Sequence, residues 1–385
     1  MKIGVIGCDI VGLTFALLCE QNGHEILISD DNEDFIYNLN QKICITDEPL
    51  IQSLLLDSNR LSGTTDSIEI IRQSDIIFTF AETKSSIEGS YDTTKVFDVI
   101  KYFFTSTSLN IPLYDKKFVV CSTTNPGDVD QIQKRLSMFN IEVAYNPMIA
   151  THGSLVKDYQ HSDMTIIGSD YDKIKEDLSL IYRQINKGSL HLYLMTIKSA
   201  EITKIGIDGF LATKITYANV ISNLMGKMGI GDEVNLVLDA VGSNSRIGGK
   251  PLIPTYGFSG PSISKSNRAL IKYLKDSGLN YELPFSVKND NDYHIQYLKL
   301  KYLEINPDKS MPFIFDGLGD IKEEMFDESQ EIKLCVELLS EGYVIHTYQS
   351  EKTFSKLLKL SASYENRLKF FKPGSSPQGI KINLK

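Results

Sequence analysis

The chain has no tryptophan, only five cysteines and only six histidines in 385 residues. The cysteines (Cys8, Cys19, Cys44, Cys121 and Cys335) are scattered and odd in number. That excludes a disulfide framework and points to a reducing compartment, hence a cytoplasmic protein. No two histidines stand at a zinc-motif spacing, so no metal site is expected. No run approaches the ~20 apolar residues of a membrane span, and the opening residues reach a turn too early for a signal-peptide core. An excess of basic charge is missing as well. Lys and Arg number 40 against 49 Asp and Glu, for a net charge of -9. Such a balance argues against nucleic acid and anionic membrane as partners.

What is present is an ordinary globular composition, long enough for two or three domains. Apolar runs at residues 3–6, 25–29, 75–81, 118–122, 142–145 and 164–168 alternate with helical stretches, the first at 11–22. The alternation predicts right-handed βαβ units in an α/β fold with an N-terminal Rossmann-type parallel sheet. Between 199 and 227, Ile202, Ile205, Phe210, Leu211, Ile215, Val220, Ile221 and Leu224 recur at helical spacing with no proline, which predicts one long helix opening a central helical region. Its apolar positions exceed a single stripe, so a homodimer formed through it is expected. A polar, proline-containing stretch at 306–311 marks a boundary. Strands at 313–315 and 343–347 around a helix at 331–340 then predict a smaller C-terminal α/β domain. The expected domains are 1–195, 196–304 and 305–385, with an irregular tail after residue 371.

The strongest chemical signal is the turn Gly7-Cys8-Asp9-Ile10-Val11-Gly12 between the first strand and helix, followed by a second strand ending at Asp30. A dinucleotide site needs a glycine for the tight turn, a glycine for close helix–strand packing, and an acid about 20 residues on for the ribose hydroxyls. Gly7, Gly12 and Asp30 supply these. An acid in that place repels a 2′-phosphate, so NAD rather than NADP is the expected cofactor. The middle glycine is replaced by Asp9, whose Cβ narrows the approach and whose charge repels a diphosphate. The plainer reading is a Rossmann-like domain with weakened cofactor binding. Cys8 and Cys121 are expected to be packed rather than reactive, His152 and His161 to be structural, and Tyr293, Tyr297 and Tyr302 to serve core or interface packing.

Residues 1–13 resemble the start of the UDP-glucose/GDP-mannose dehydrogenase family, and so do Gly23-His24-Glu25 to Asp30 and Glu48-Pro49. Further matches follow in that family's order: Ser74-Asp75-Ile76-Ile77 leading to Thr83, Ser122-Thr123, and Asn146-Pro147 with Gly153 and Asp158. Then come Ala200-Glu201 with Lys204, Ser245-Arg246-Ile247-Gly248, Gly257-Phe258 with Gly260 and Lys265, and Glu328-Ser329. The resemblance implies NAD-dependent oxidation of the C6 hydroxyl of a UDP- or GDP-linked sugar to a carboxylate in two steps, a cysteine thiolate capturing the intermediate aldehyde. It implies cofactor contacts from Gly7, Asp9, Ile10, Val11, Gly12, Asp30, Thr83 and Thr123. Substrate contacts would come from Asn146, Lys204, Arg246, Tyr256, Gly257, Gly260 and Lys265. Lys204 matches the lysine that stabilises charge on the sugar oxygen, and Arg246 an arginine that in family dimers reaches the neighbouring subunit's substrate. The catalytic set carried over is Lys204, Asp208, Ser262 and Thr123.

The chain departs from that family where the chemistry is hardest. Ser262 stands at the nucleophilic cysteine, Ser266 at an aspartate that helps deprotonation, Met148 at a glutamate and Asp208 at an active-site asparagine. The segment Asp316-Gly317-Leu318-Gly319-Asp320 lacks the family's cofactor-facing lysine. A thiol with a pKa of about 8.5 gives a usable thiolate, whereas an unactivated serine does not. Neither Ser266 nor Met148 is a base, so covalent capture of an aldehyde is not expected. The first, two-electron step needs only a bound nicotinamide, a positioned alcohol and a stabiliser of the alkoxide such as Lys204. Asp208, at i+4 from Lys204, reads equally as an ordinary helix-surface ion pair. Two functions follow: a dehydrogenase of altered course, or a catalytically silent family member acting as a binding or structural subunit. A 2-hydroxy-acid-type dehydrogenase sharing only the Rossmann half is a third, against which the motifs beyond Lys204 count.

Overall fold

The apolar run at the N-terminus forms β1 (Lys2–Ile6), which lies inside a sheet rather than at its edge. The structure, a computed structural model, describes residues 1–86, 88–248, 252–260, 262–316, 318, 329–348, 354–364, 366–372, 375 and 377–382, without the side chains of 354–358. It divides into two units, Met1–Lys204 and Ile205–Lys385.

In the first unit β1 is followed by α1 (Ile10–Gln21), β2 (Glu25–Ser29), α2 (Glu33–Asn40), α3 (Ile51–Asp57), β3 (Leu61–Thr64), α4 (Ser67–Gln73) and β4 (Ile76–Thr79). A short hairpin of β5 (Lys84–Ser85) and β6 (Tyr91–Asp92) leads to α5 (Thr94–Ser108), β7 (Lys117–Val120), α6 (Asp128–Leu136) and β8 (Glu142–Tyr145). Then come α7 (Leu155–Gln160), β9 (Met164–Gly168), α8 (Asp172–Ile185), β10 (His191–Met195) and the first turns of α9 (Ile197–Lys227).

The strand order is β10-β9-β8-β7-β4-β1-β2-β3, with β1 hydrogen-bonded to both β2 and β4. The chain leaves β1 toward one side for β2 and β3 and returns on the other for β4. This is the reversal outside whose carboxyl ends open α/β sheets bind ligands. Strands β4 and β7 are buried at every position, as strands covered on both faces must be. The Rossmann-type sheet and mixed α/β class expected from the sequence are therefore present. Two strands of this eight-stranded sheet were not anticipated: β3, whose Leu-Ser-Gly-Thr carries one large apolar residue, and β10, an edge strand that is largely exposed.

The sheet is parallel except at one junction. β8 and β9 run antiparallel and share a single residue pair, Tyr145 with Gly168. Side chains span the rest of that junction: Asn146 Nδ2 donates to the Ile166 carbonyl at 2.7 Å and Ser169 Oγ to the Val143 carbonyl at 2.7 Å. Beneath the sheet the Phe15 ring lies 4.7 Å from Phe78, 5.8 Å from Phe80 and 5.9 Å from both Tyr159 and Tyr182. Truncating such a buried ring to alanine typically costs about 3–5 kcal/mol.

The second unit holds the rest of α9, then α10 (Val234–Gly242), α11 (Ile263–Asp276), α12 (Glu282–Ile305), β11 (Phe313–Phe315), α13 (Gln330–Ser340), β12 (Ile345–Tyr348), α14 (Phe354–Ser363), β13 (Leu368–Phe371) and β14 (Ile380–Lys381). The long helix and the smaller C-terminal α/β sheet, ordered β13-β12-β11-β14, are as expected. In the tail after residue 371, the described residues of 372–379 lie in no helix or strand, as expected. Ile380 and Lys381 pair in parallel with Phe313 and Ile314, filling the edge beside β11. Of the three tyrosines assigned to packing, Tyr302 is buried edge-on to Phe313 at 5.5 Å and Tyr297 donates its hydroxyl to the Asn223 carbonyl, while Tyr293 is exposed. Among the described residues no helix is long and apolar enough to cross a membrane.

Candidate active site

β1 ends at Gly7, whose φ of +70° disfavours any side chain and whose N–H donates to the Ser29 carbonyl at 2.9 Å. The next N–H, of Cys8, donates to Asp30 Oδ2 at 3.0 Å, while Asn32 N–H donates to the other Asp30 oxygen at 3.0 Å. Asp30 is thereby fixed at the end of β2, on the wall of a cavity of about 670 Å³ that Gly7, Cys8 and Asp9 also line. Gly12 packs against Phe80 so closely that a Cβ would fall 2.8 Å from its ring. Tight turn, an acid at the end of β2 and close packing are thus all in place, and these residues fit the adenosine half of NAD. Ile10 and Val11 are half-buried in the first turn of α1.

Asp9 behaves differently from a mere obstruction. It is the N-cap of α1, and its Oδ1 accepts the Gly12 N–H at 2.8 Å. Its carboxylate therefore occupies a helix-terminal donor of the kind that binds phosphate in dinucleotide folds. Thr83 and Thr123, both half-buried, lie in the loops that follow the adjacent parallel strands β4 and β7.

Two buried glutamates, recognised in the sequence only as parts of motifs, pin the loops of this unit. Glu201 on α9 accepts Thr124 Oγ1 at 2.9 Å, Gly127 N–H at 2.6 Å and Val129 N–H at 3.1 Å. It thus caps α6 from a distance and holds the loop that carries Thr123. Burial pushes its carboxyl up to about 7, against the pull of those three donors. Glu48 accepts Gly153 N–H at 2.6 Å and lies 3.5 Å from His152 Nδ1, holding the loop that follows Asn146. Asn146 is itself buried, with Tyr182 OH donating to its Oδ1 at 2.6 Å. Met148 packs against the hydrophobic core. Cys8 and Cys121 are buried, and burial, the largest effect, holds both thiols well above their usual range.

Lys204, buried on α9, is the last residue of the first unit; Asp208, one helical turn on, belongs to the second. In that second unit Ser262, the N-cap of α11, donates its hydroxyl to Asp208 Oδ2 at 2.8 Å. Ser266, one turn later and fully buried, donates to the same oxygen at 2.6 Å. Two hydroxyls converging on one carboxylate oxygen are short, charge-assisted bonds. The sequence offered Ser262 no carboxylate at 266 or 148. The fold supplies one from 54 residues upstream, a pairing that no local spacing signals.

Gly257 has a φ of +124°, and a Cβ there would lie 2.5 Å from Asn291 Oδ1. Asn291 in turn accepts Phe258 N–H at 2.8 Å and donates to the Phe258 carbonyl at 3.1 Å. Gly260 has a φ of +86°, and Lys265 is half-buried on α11. Tyr256 stacks on Phe315 at 6.5 Å, and burial raises its phenol pKa. Arg246 is exposed, with its Nε and backbone N–H on Asn244 Oδ1. Residues 317, 319 and 320 of the segment that lacks the family's lysine, and Glu328, lie outside the described residues.

Residues 1–186 match a sequence profile described as UDP-glucose/GDP-mannose dehydrogenase family, NAD binding domain, and residues 198–293 match that family's central domain. The chain belongs to the UDP-glucose/GDP-mannose dehydrogenase family. Its cofactor domain is that family's NAD-binding domain, in agreement with Gly7 and Asp30. The UDP-glucose 6-dehydrogenase TuaD of Bacillus subtilis is 29% identical over 301 residues, 76% of this chain and 63% of that protein, so the match spans less than two thirds of the relative. Among solved structures, a UDP-glucose dehydrogenase from Pyrobaculum islandicum superposes with a TM-score of 0.84 at 23% identity, covering 96% of this chain and 86% of the other. The UDP-N-acetyl-mannosamine dehydrogenase Cap5O of Staphylococcus aureus gives 0.73 at 19%, covering 100% and 98%. At those identities the superpositions establish the shared fold.

Proposed function

We propose that this chain is a cytoplasmic NAD-dependent oxidoreductase acting on a sugar hydroxyl of a UDP- or GDP-linked nucleotide sugar, by a two-electron course. The observation that carries the cofactor half is Asp30, fixed by the Cys8 N–H at the mouth of the turn of an NAD-binding domain. NAD, when bound, supplies a hydride acceptor. Lys204, as an ammonium, would stabilise the negative charge on the sugar oxygen as its hydroxyl proton passes to water and the hydride leaves the carbon for the nicotinamide, giving a carbonyl. Asp208 holds Ser262 through its hydroxyl proton. A carboxylate alone is a weak base toward an alcohol, so this pair orients Ser262 rather than making it a nucleophile. With no thiolate to capture an aldehyde, the second oxidation is slow.

Residues 1–195, 196–304 and 305–385 serve as cofactor, central and nucleotide-sugar domains. Asn146, Arg246, Tyr256, Gly257, Gly260 and Lys265 contact substrate, and Thr83 and Thr123 the cofactor. The protein works as a homodimer. Phe210, Tyr217 and Leu224 are half or more exposed at seven-residue spacing on α9, a stripe that a second copy would cover.

The test is stoichiometry across UDP- and GDP-linked sugars. A ratio near one NADH per sugar consumed, abolished in Lys204→Ala, supports the proposal; a ratio near two with a uronic acid product refutes the two-electron course. The serine at 262 and the carboxylate at Asp9 favour one other reading, a silent family member retained as a binding or structural subunit. NADH binding with no turnover on any candidate sugar would establish it.

A further inference from the structure

Asp9 sits where the cofactor's diphosphate would be received, and it already holds a donor of that site. Its Oδ1 accepts the Gly12 N–H at 2.8 Å from the N-cap position of α1. Its backbone, at φ -85° and ψ -175°, is relaxed cap geometry, so the carboxylate is not forced there by strain. Its negative charge at a helix N-terminus is the electrostatically favoured arrangement, the same preference that draws phosphate to such termini. The cavity beyond it adds to the effect. Asp30, Asp31, Glu82 and Asp98 line it together with Asp9; among the described lining residues the cation is Lys95, 3.8 Å from Glu82, and Lys84 lies 3.9 Å from the same carboxylate. An entering diphosphate thus meets a helix end already capped by an anion and walls of its own sign.

We infer that Asp9 is a built-in rival of the cofactor diphosphate: its carboxylate caps α1 in the free protein, and NAD binds only by displacing it. The inference rests on the NAD-binding reading above and adds what sets the affinity. The cap stabilises the free protein and opposes the bound one, so one side chain governs both. It also reverses the usual salt response. Where a cationic pocket loses a phosphate ligand as salt rises, this pocket gains it, because screening weakens the repulsion.

The experiment titrates NADH into the full chain by fluorescence, comparing wild type with Asp9→Asn and Asp9→Gly at low and high NaCl. Asparagine accepts the same N–H without the charge; glycine removes both cap and charge and leaves the backbone approach open. The expected result is a several-fold tighter Kd for Asp9→Asn and at least a tenfold tighter Kd for Asp9→Gly. Wild-type affinity should rise with salt and Asp9→Gly should respond less. The free Asp9→Gly protein should melt below wild type, and Asp9→Asn close to it. If both variants bind NADH no better than wild type, Asp9 is only a helix cap and this inference fails while the NAD reading stands. If none of the three binds NADH at millimolar concentration, the NAD reading fails and the inference with it.

Discussion

Replacing Gly12 by alanine is the most direct probe of how the cofactor turn is built. Alanine in a helix interior is favoured over glycine by about 1 kcal/mol, so propensity alone predicts a gain. The packing predicts a loss. The new Cβ would lie 2.8 Å from Cγ and Cδ2 of Phe80 and 3.1 Å from its Cβ, whereas carbon atoms rest at about 3.5–4.0 Å. Phe80 has little room to withdraw, being 5% exposed with its ring 5.8 Å from Phe15. Overpacking of this kind costs about 1–3 kcal/mol, which leaves a net destabilisation of up to about 2 kcal/mol once the helix gain is subtracted. At about 2–4 °C per kcal/mol for a unit of this size, the first-unit transition should fall by up to ~8 °C in differential scanning calorimetry. The decisive comparison is a double-mutant cycle. In a Phe80→Leu background the ring is gone, and Gly12→Ala should become neutral or stabilising. An equal effect in both backgrounds would refute the contact as the reason for glycine at this position.

Glu201 makes stability depend on pH. Its carboxyl is pushed up to about 7 from 4.5, so the folded state holds the proton more tightly and its contribution is fully present below about 4.5 and lost as pH rises through about 7. At 1.36 kcal/mol per pH unit, stability should fall by up to ~3 kcal/mol across that window; chemical denaturation of Glu201→Gln should show the slope flattened, and a slope unchanged by that substitution would count against it. For the dimer, light scattering at micromolar concentration should give twice the chain mass. Leu224→Lys, which places a charge in the exposed α9 stripe, should shift the protein toward monomer; a monomeric wild type would remove the basis for a cross-subunit Arg246.

The parts of the fold that were readable are those where burial dictates residue type. β1, β4 and β7 are buried on both faces and leave continuous apolar runs, while α9 leaves a long helical period uninterrupted by proline. β10 was missed because an exposed edge strand needs no such run, and β14 because two residues pairing with β11 leave no periodicity at all. The turn at Gly7 and the acid at Asp30 were legible since backbone conformation and charge restrict those positions to few residue types. The bonds of Ser262 and Ser266 to Asp208 were not legible from the residues themselves, because they depend on the path of the chain over more than fifty residues; only the family resemblance put the three at active-site positions. The capping bond of Asp9 was missed for a different reason. An aspartate in front of a helix is a strong cap signal, but the glycine pattern of the motif drew attention to what was lost there instead of to the bond the new side chain makes.

The junction between β8 and β9 makes the large sheet mechanically uneven. Elsewhere neighbouring strands are stitched by backbone ladders that no substitution other than proline can delete. Here one residue pair is shared, and the remaining stitches are the side chains of Asn146 and Ser169, with Tyr182 holding Asn146 from behind. A ladder is indifferent to side-chain identity; this seam is encoded residue by residue. The margin formed by β9 and β10 can therefore be loosened by changing one amide or one hydroxyl, while the half of the sheet that carries Gly7 and Asp30 stays closed.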